Sequence, residues 1–515
     1  MGIRTWLRGQ VGRLQQKPQA RFEAARSGRL SEDFFRPFTS ANAEIRPDLQ
    51  TLRNSARALT RDNPHARGIK RTFQVNVVGA RGIQLRPQVK KASGDELDDR
   101  RNALISEQFN LWCRKDSFDI AGKHSFLSVQ WAIAGALIDS GEVFLRIQRG
   151  QRFGRSNVPL AMEVLEADLI DTEYNALSDR PDHRWVMGIE VNKWNRPTRY
   201  AVLTVHPGDH EMRNPYAGPK HTFISAADII HIYGVESRVG QMRSEPILTP
   251  VILAAHNLNQ YQRSHLIKKR AQSNALGFIQ TPDDFTGELV DNQRVIDSEP
   301  GAYRRLNPGE TAIPPQFGPE DTAYAGVVQD ALRMHAVGTG TTYSTISGDF
   351  SGGSYASLRI SIFENRDYWS MLHSALIDQF SQRIYEEFMY AAVMSGALPS
   401  PTFDNYFINP ERYNYPAWQP RAWSLLDVGK DIKALKDARE LQLESHSEQV
   451  ANHTGNDFKR TIDQIATENK YKEERGLLSE IDDPLMALEE KQRSASSQPA
   501  TPEPDPMPKP GDDTD

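Results

Sequence analysis

At 515 residues, with 38% hydrophobic residues and a mean hydropathy of −0.59, the chain is long enough for several domains and holds no apolar run that predicts a membrane-spanning helix. Its one cysteine, Cys113, excludes an internal disulfide, and the apolar setting beside Trp112 predicts a buried side chain rather than a nucleophile. The net charge of −5 conceals an asymmetry: residues 1–90 hold 18 Lys/Arg against 6 Asp/Glu, a net of +12, whereas residues 401–515 hold 14 against 23, a net of −9. Tight static binding of DNA relies on phosphate neutralisation and suits an acidic chain poorly, although the basic end remains able to touch nucleic acid or an acidic partner.

Residues 1–46 read as an Arg-rich arm with scattered aromatics (Trp6, Phe22, Phe34, Phe35, Phe38) and weak periodicity. The first residues lack the apolar centre of a signal peptide, and Trp6 stands where N-myristoylation needs Ser or Thr. From Pro47 the pattern predicts a helix, a turn at Asn63-Pro64 and a second helix ending at Gly79. After a polar loop over 87–99, a helix carries Leu104, Ile105, Phe109 and Trp112. A further helix is predicted from Ser125 to Asp139, followed by a strand from Glu142 to Gln148.

Beyond that the period becomes two. Strands are predicted at Met162–Leu165, Trp185–Val191, Arg199–Val205 and Ile229–Tyr233, with the turn Asn192–Pro197 closing a hairpin. The result is an α+β domain from Pro47 to Arg243. A helix then opens at Glu245-Pro246, runs through Val251, Ile252, Ala255, Leu258, Tyr261 and Leu266 to Lys268, Lys269 and Arg270, and stops near Asn274. Short strand-like, Pro/Gly-rich stretches fill 276–318, and a second helix follows over Pro319–Val337, so that two helices, lying antiparallel, would form a stalk capped by a small β insertion.

Five glycines and a run of Thr and Ser between Gly338 and Gly353 predict a mobile loop. From Ser354 to Ser395 there is no Gly or Pro, and apolar residues fall at Leu358, Ile362, Trp369, Leu372, Leu376, Phe380, Ile384 and Phe388. That spacing predicts one helix of about 40 residues, roughly 60 Å long, better suited to a strut than to a pocket wall. A connector with Trp418 and Trp423, charged helices over Lys430–Val450 and Asp457–Lys472, and a disordered Pro/Ser/Asp-rich tail complete the reading.

Chemistry-bearing motifs are absent. No phosphate-binding loop is present: Gly122-Lys123-His124 lacks both the upstream glycine and the hydroxyl residue. No HExxH or G-x-S-x-G occurs, and His206 and His210 flank a Pro-Gly turn with no Cys or acidic set evident to complete a metal site. In SGDFSGGS no lysine follows and Asp349 would repel an anion, so a flexible loop is favoured over a phosphate nest. The residues themselves describe a multidomain, assembling, non-enzymatic protein with no metal and no cofactor; a DNA-processing nuclease or hydrolase and a monomeric adaptor are the competing readings.

Several stretches together resemble phage portal proteins of the lambda family: ARALTRDNPHARGIKRTFQVNVVGARGIQL, LIDSGEVFLRIQ, LEADLIDTEYN, GIEVNKWNRPTRYAVL, ADIIHIYGVESRVGQMRSEPILTPVI and TTYSTISGDFSGGSYASLR, in the family's order over about 45–430. The resemblance implies an α+β portal fold: arm 1–46, wing 47–244, first stem helix 245–274, clip 275–318, second stem helix 319–338, tunnel loop 339–353, long wing helix 354–395, crown 396–493 and tail 494–515. It also implies a ring, dodecameric in virions, at one capsid vertex, assembled in the host cytoplasm, without a membrane. Double-stranded DNA would pass through it, and the terminase large subunit, major capsid and scaffold proteins, and head-completion or tail proteins would dock on it.

On that reading Tyr343, Ser344, Thr345, Ile346, Ser347, Gly348, Asp349, Phe350, Ser351, Gly352 and Gly353 line the narrowest part of the channel. Lys268, Lys269 and Arg270 lie near passing phosphates, the competing reading being a solvated helix end that suits cations. Phe278, Ile279, Tyr303, Arg304 and Arg305 are expected to supply docking surface on the clip.

Overall fold

The structure, a computed structural model, describes residues 38–475 except 92–93, 95, 210–218, 275–277, 281–310, 314–322, 400–401 and 424. It opens with a short helix α1 (Ala41–Ile45), whose first turn is capped by the Ser40 hydroxyl, and α2 (Leu49–Asp62). Asn63 then takes an extended conformation and its side chain accepts from the His65 and Ala66 amides, while Pro64 occupies the first helical position of α3 (Pro64–Phe73). A wide turn over Gln74–Val78 extends α3, and Gly79 ends it at φ 69°.

After β1 (Gln84–Arg86) come α4 (Asp99–Trp112), α5 (Lys115–Phe118) and α6 (Phe126–Asp139). Ser125 and Ser128 form a reciprocal cap at the start of α6. The next strands are β2 (Glu142–Arg149), β3 (Leu160–Leu165), β4 (Arg184–Val186), β5 (Ile189–Val191), β6 (Pro197–Leu203), β7 (His221–Ser225) and β8 (Ile229–Tyr233). They build two antiparallel sheets, ordered β3-β2-β8 and β4-β5-β6-β7. Helix α7 (Ile252–Asn274) follows a tight turn over Thr249–Val251, and β9 (Phe278–Gln280) pairs antiparallel with β10 (Thr311–Ile313).

Helix α8 (Tyr324–Gly338) leads to a one-turn helix α9 (Tyr343–Ser347) and then to α10 (Tyr355–Leu376), a wide turn over Ile377–Ser381 and α11 (Gln382–Met394). Strand β11 (Ala417–Gln419) returns to pair with β1, and α12 (Val428–Glu440), α13 (His446–Thr454) and α14 (Phe458–Glu473) follow.

The main core is aromatic. Phe126 stacks on Phe380 at 5.4 Å between centroids, and Phe388 meets Phe109 at 5.0 Å and Trp112 at 5.3 Å. Trp112 Nε1 donates to the Leu160 carbonyl at 2.7 Å, so its one polar atom is satisfied inside the core. Each fully buried ring of this kind contributes about 1.5–3 kcal/mol relative to exposure, and together they clamp α10–α11 onto α4, α6 and β3. Arg149 at the end of β2 adds an ion pair with Glu387 of α11 at 2.8 Å. A second core, with Phe144, Ile170, Ile189, Val191 and Tyr200, lies between the two sheets.

The α+β class and the long helix follow the sequence reading, while four boundaries do not. Trp185–Val191 is two strands, because Met187 (φ 47°) and Gly188 (φ 81°) turn the chain tightly between β4 and β5. The stretch predicted as a helix from Glu245 is irregular until Thr249. Lys430–Val450 is broken into α12 and α13 over Leu441–Ser445, where Gln442 has φ 58°. The predicted loop over 339–353 contains α9.

Candidate functional site

Helices α7 and α8 lie antiparallel. Gly338, the last residue of α8, sits against Val251 at the entry to α7, where a Cβ on Gly338 would fall 2.5 Å from Val251 Cγ1. At the other end Tyr324 stacks on His265 (3.9 Å) and Tyr261 (5.6 Å). The helix pair therefore carries β9 and β10 beyond one end and the α9 segment beyond the other.

The α9 end is tightly built. The Thr339 hydroxyl donates to the His335 carbonyl at 2.7 Å, and the Thr341 amide donates to the Ala336 carbonyl at 2.9 Å. Gly340 is left-handed (φ 65°) with the Tyr368 ring where its Cβ would stand, 2.7 Å from Cε1. Ile346 is buried in the main core and Tyr343 packs against it, its ring under the Arg333 guanidinium at 5.7 Å. Gly348 ends α9 at φ 70°, and Asp349 then gathers the following turn: it accepts from the Tyr343 hydroxyl (3.0 Å), the Ser351 amide (3.0 Å) and the Ser351 hydroxyl (2.6 Å). The bonds from Ser351 and Tyr343 hold the Asp349 carboxyl below its usual range. Phe350 to Ser354 are exposed, with Phe350 at 61%.

The eleven residues Tyr343–Gly353 are thus not one mobile surface. Tyr343 and Ile346 are anchors on the core, and the exposed part narrows to Thr345 and to Gly348 through Gly353 apart from half-buried Asp349. Lys268 and Arg270 are exposed and Lys269 half-buried, all within the last two turns of α7. Phe278 and Ile279 lie on β9, paired with Ile313 and Ala312. Tyr303, Arg304 and Arg305 lie outside the described residues.

Sequence reasoning missed a buried ionic joint where the chain leaves the sheets to enter α7. Glu142, at the start of β2, has no exposed surface and accepts from Arg53 of α2, from Arg243 Nε (2.6 Å), from the Ser244 amide (3.2 Å) and from His231 of β8 (2.9 Å). Arg243 spends its other donors on the carbonyls of Ile170, Met187 and Ala167, and Arg53 also reaches Asp168 at 3.2 Å. Burial opposes the charge on Glu142, but Arg243, Arg53 and His231 outweigh it and hold the carboxyl well below its ordinary range. Burial dominates at His231 and lowers its pKa, so the neutral ring donates Nε2–H to the carboxylate. The available signal was a charged or titratable residue inside apolar runs, Glu142 in GEVFL and His231 in IIHIY.

Glu166, Asp168 and His206 bring one ligand atom each within 4.8 Å of the others, an acidic set the sequence spacing did not reveal. Arg57 already pairs with both Glu166 (3.2 Å) and Asp168, and Arg53 with Asp168, so these carboxylates are neutralised by guanidinium and fit a structural ion pair better than a metal. Cys113 is half-buried against the core, short of the full burial expected, and desolvation pushes its thiol up. Among the described residues no helix is long and apolar enough to cross a membrane.

Comparison with known proteins gives a consistent result. The family pattern described as phage portal protein, lambda family, matches residues 27–373. The chain is 27% identical over 457 residues to a probable portal protein of Halomonas phage phiHAP-1, covering 86% of this chain and 85% of the relative. Among solved structures it is similar to the neck of an empty gene transfer agent particle computed with C6 symmetry, at TM-score 0.40 and 16% identity, over 77% of this chain and 92% of the other. It is also similar to an HK97 family phage portal protein from Corynebacterium diphtheriae, at TM-score 0.29 and 11% identity, over 68% and 94%. The sequence matches carry the assignment, since at these TM-scores the structural likeness adds no weight.

Proposed function

The chain belongs to the lambda family of phage portal proteins, which are structural proteins rather than enzymes, and from that premise we propose how its elements divide the work. Copies of the chain close into a ring, dodecameric in the virion, at one capsid vertex, with double-stranded DNA passing through the centre. Residues 47–244 form the wing, α7 and α8 the stem, residues 275–318 the clip, and residues 396–493 the crown. The terminase large subunit docks at the clip during packaging and head-completion or tail proteins dock there afterwards; capsid and scaffold proteins contact the outside.

The observation that carries this reading is the antiparallel pair α7/α8, which separates the β9–β10 end from the α9–Gly353 turn by the length of the helices. Support for ring closure comes from apolar side chains that the single chain leaves in water along both helices: Leu253, Leu266 and Ile267 on α7, and Val327, Met334 and Val337 on α8. A head-to-tail interface repeated by rotation would cover them. Gly348–Gly353 is the part that meets DNA, and its weak charge suits a channel in which DNA slides, since each tightly held phosphate would add a barrier. Lys268, Lys269 and Arg270 stand near the stem-to-clip junction, where passing phosphates are met.

Electron microscopy of the purified chain tests the ring, because a strictly monomeric species under assembly conditions defeats the proposal. Deleting Ser347–Gly353 tests the channel assignment: particles should lose DNA retention or packaging, and unchanged DNA content sinks that assignment while leaving the ring intact.

A further inference from the structure

The turn between β5 and β6 carries a patch that the portal reading does not use. Asn192 Oδ1 accepts from the Trp194 amide (2.9 Å) and the Arg196 amide (3.1 Å), and Asn195, left-handed at φ 60°, has its own amide bonded to the Asn192 carbonyl at 2.9 Å. Arg184 of β4 donates to Asn195 Oδ1 at 2.7 Å and braces the turn from the neighbouring strand. On this rigid base Trp194 is 74% exposed, with Lys193 Nζ 4.3 Å from the centre of its ring. Leu177, 92% exposed, is bridged to Arg184.

Nearby arginines have carboxylates: Arg199 pairs with Glu190 and Asp179, and Arg180 with Glu190 at 3.7 Å. Arg184, Lys193 and Arg196 are exposed and, among the described residues, pair with none. The turn therefore presents an exposed indole with Lys193 against its ring, Arg196 two residues on and Arg184 held to Asn195 from the neighbouring strand.

The chain itself contains a segment of complementary chemistry. Residues 499–515, PATPEPDPMPKPGDDTD, hold six prolines, five carboxylates and one lysine. Proline rings stack on indole faces, and a Pro-rich strand loses little entropy on docking to an aromatic platform. Its alternating carboxylates, Glu503 and Asp505 among the prolines and Asp512, Asp513 and Asp515 beyond, match the flanking cations. Residues 476–498 separate Arg475, the last described residue, from the segment, and these 23 residues in extended form span roughly 70 Å at about 3.1 Å per residue.

We propose that the acidic, Pro-rich segment 499–515 docks on the Trp194 tip of a wing hairpin, its own or a neighbouring copy's, with prolines on the indole and carboxylates on Lys193, Arg184 and Arg196. The docked segment shields a basic, aromatic tip that would otherwise bind acidic surfaces without selection. The proposal does not depend on how the copies assemble.

Zero-length coupling of amines to carboxylates on the full chain, read by mass spectrometry, tests it. Lys193 should couple to Glu503, Asp505 or the aspartates of 512–515. Trp194→Ala, an exposed position that leaves Lys193 as reporter, should lower that yield about tenfold, as expected for an aromatic anchor. Replacing the six prolines by alanine keeps the charge and should lower it similarly. If the segment couples instead to Lys17 of the basic arm, or if Lys193 couples equally well in the Trp194→Ala chain, the proposal is overturned; equal coupling by the alanine segment overturns the role of the indole.

Discussion

Arg53 and Glu142 lie 89 positions apart in sequence and meet in the interior with both side chains fully excluded from solvent. The pair joins α2 to β2, and Arg243 brings to the same carboxylate the segment that enters α7. A charge buried this deeply is stable only while its partners remain. Arg243→Ala strips Glu142 of one of its two guanidinium partners and leaves the carbonyls of Ile170 and Met187 without the guanidinium donor they share. The expected loss is about 3–5 kcal/mol, measured by denaturant unfolding, and a loss below about 1 kcal/mol, the range of a surface ion pair, means the joint is not what fixes the entry of α7 to the sheets.

The same joint sets a pH dependence. Glu142 titrates far lower folded than its ordinary value of 4.5, so its contribution is present above that value and falls away as the pH drops below it. His231 is also depressed, from 6.5. For a histidine this means that the unfolded chain takes up the proton first, so stability is complete above about 6.5 and declines as the pH falls through the interval below. His65, His335 and His373 shift the same way, each chiefly through burial. Stability should therefore fall continuously from neutral pH into acid, by at most about 1.4 kcal/mol per pH unit for each proton involved. His231→Asn should flatten the slope between about pH 6 and 5; an unchanged slope in unfolding curves shows that His231 is not one of the groups responsible.

What the sequence disclosed follows from how local each signal is. The helix from Ser354 to Ser395 was legible because forty residues without Gly or Pro keep an apolar stripe, and even the wide turn at Ile377–Ser381 does not interrupt it. The β4–β5 turn was not, because Met187 at positive φ carries no turn chemistry and the flanking residues read as one apolar strand. The break at Gln442 escaped for the same reason. The pairing of Gln84–Arg86 with Ala417–Gln419 and the meeting of Arg53, Glu142 and Arg243 depend on positions far apart in the chain, which no periodicity reports. At α9 composition misled: Thr, Ser and Gly suggested a mobile loop, whereas Ile346 finds the core and pulls a turn of helix with it.

Close packing of Gly338 on Val251 gives a test of the contact between the end of α8 and the entry to α7. Gly338→Ala places a methyl 2.5 Å from Val251 Cγ1, and either the Val251 side chain or the backbone carrying one of the two residues must shift. The cost should be about 1–3 kcal/mol. Val251→Ala alone should also destabilise, since Val251 is buried, yet in the double variant the methyl fills the space vacated, so the two effects should be less than additive by about 1 kcal/mol or more. Strict additivity in thermal unfolding shows that the two residues do not meet.

The Asp349 side chain organises the exposed turn after α9 through three hydrogen bonds, two from exposed Ser351 and one from the hydroxyl of Tyr343, whose ring stays packed on the core without that bond. Asp349→Ala should therefore leave folding and assembly almost unchanged, within the roughly 0.5 kcal/mol expected of surface positions, while freeing Phe350–Gly353 from its fixed shape. If that turn is the part of the ring that meets DNA, particles built from the variant should package at altered rate or lose DNA on standing, an effect separable from assembly by counting rings in micrographs. Tyr343→Phe removes only one of the three bonds and should give a smaller defect in the same direction. Equal DNA retention by both variants and the parent counts against this turn as a contact with DNA, and the exposed cations Lys268 and Arg270 become the next positions to alter.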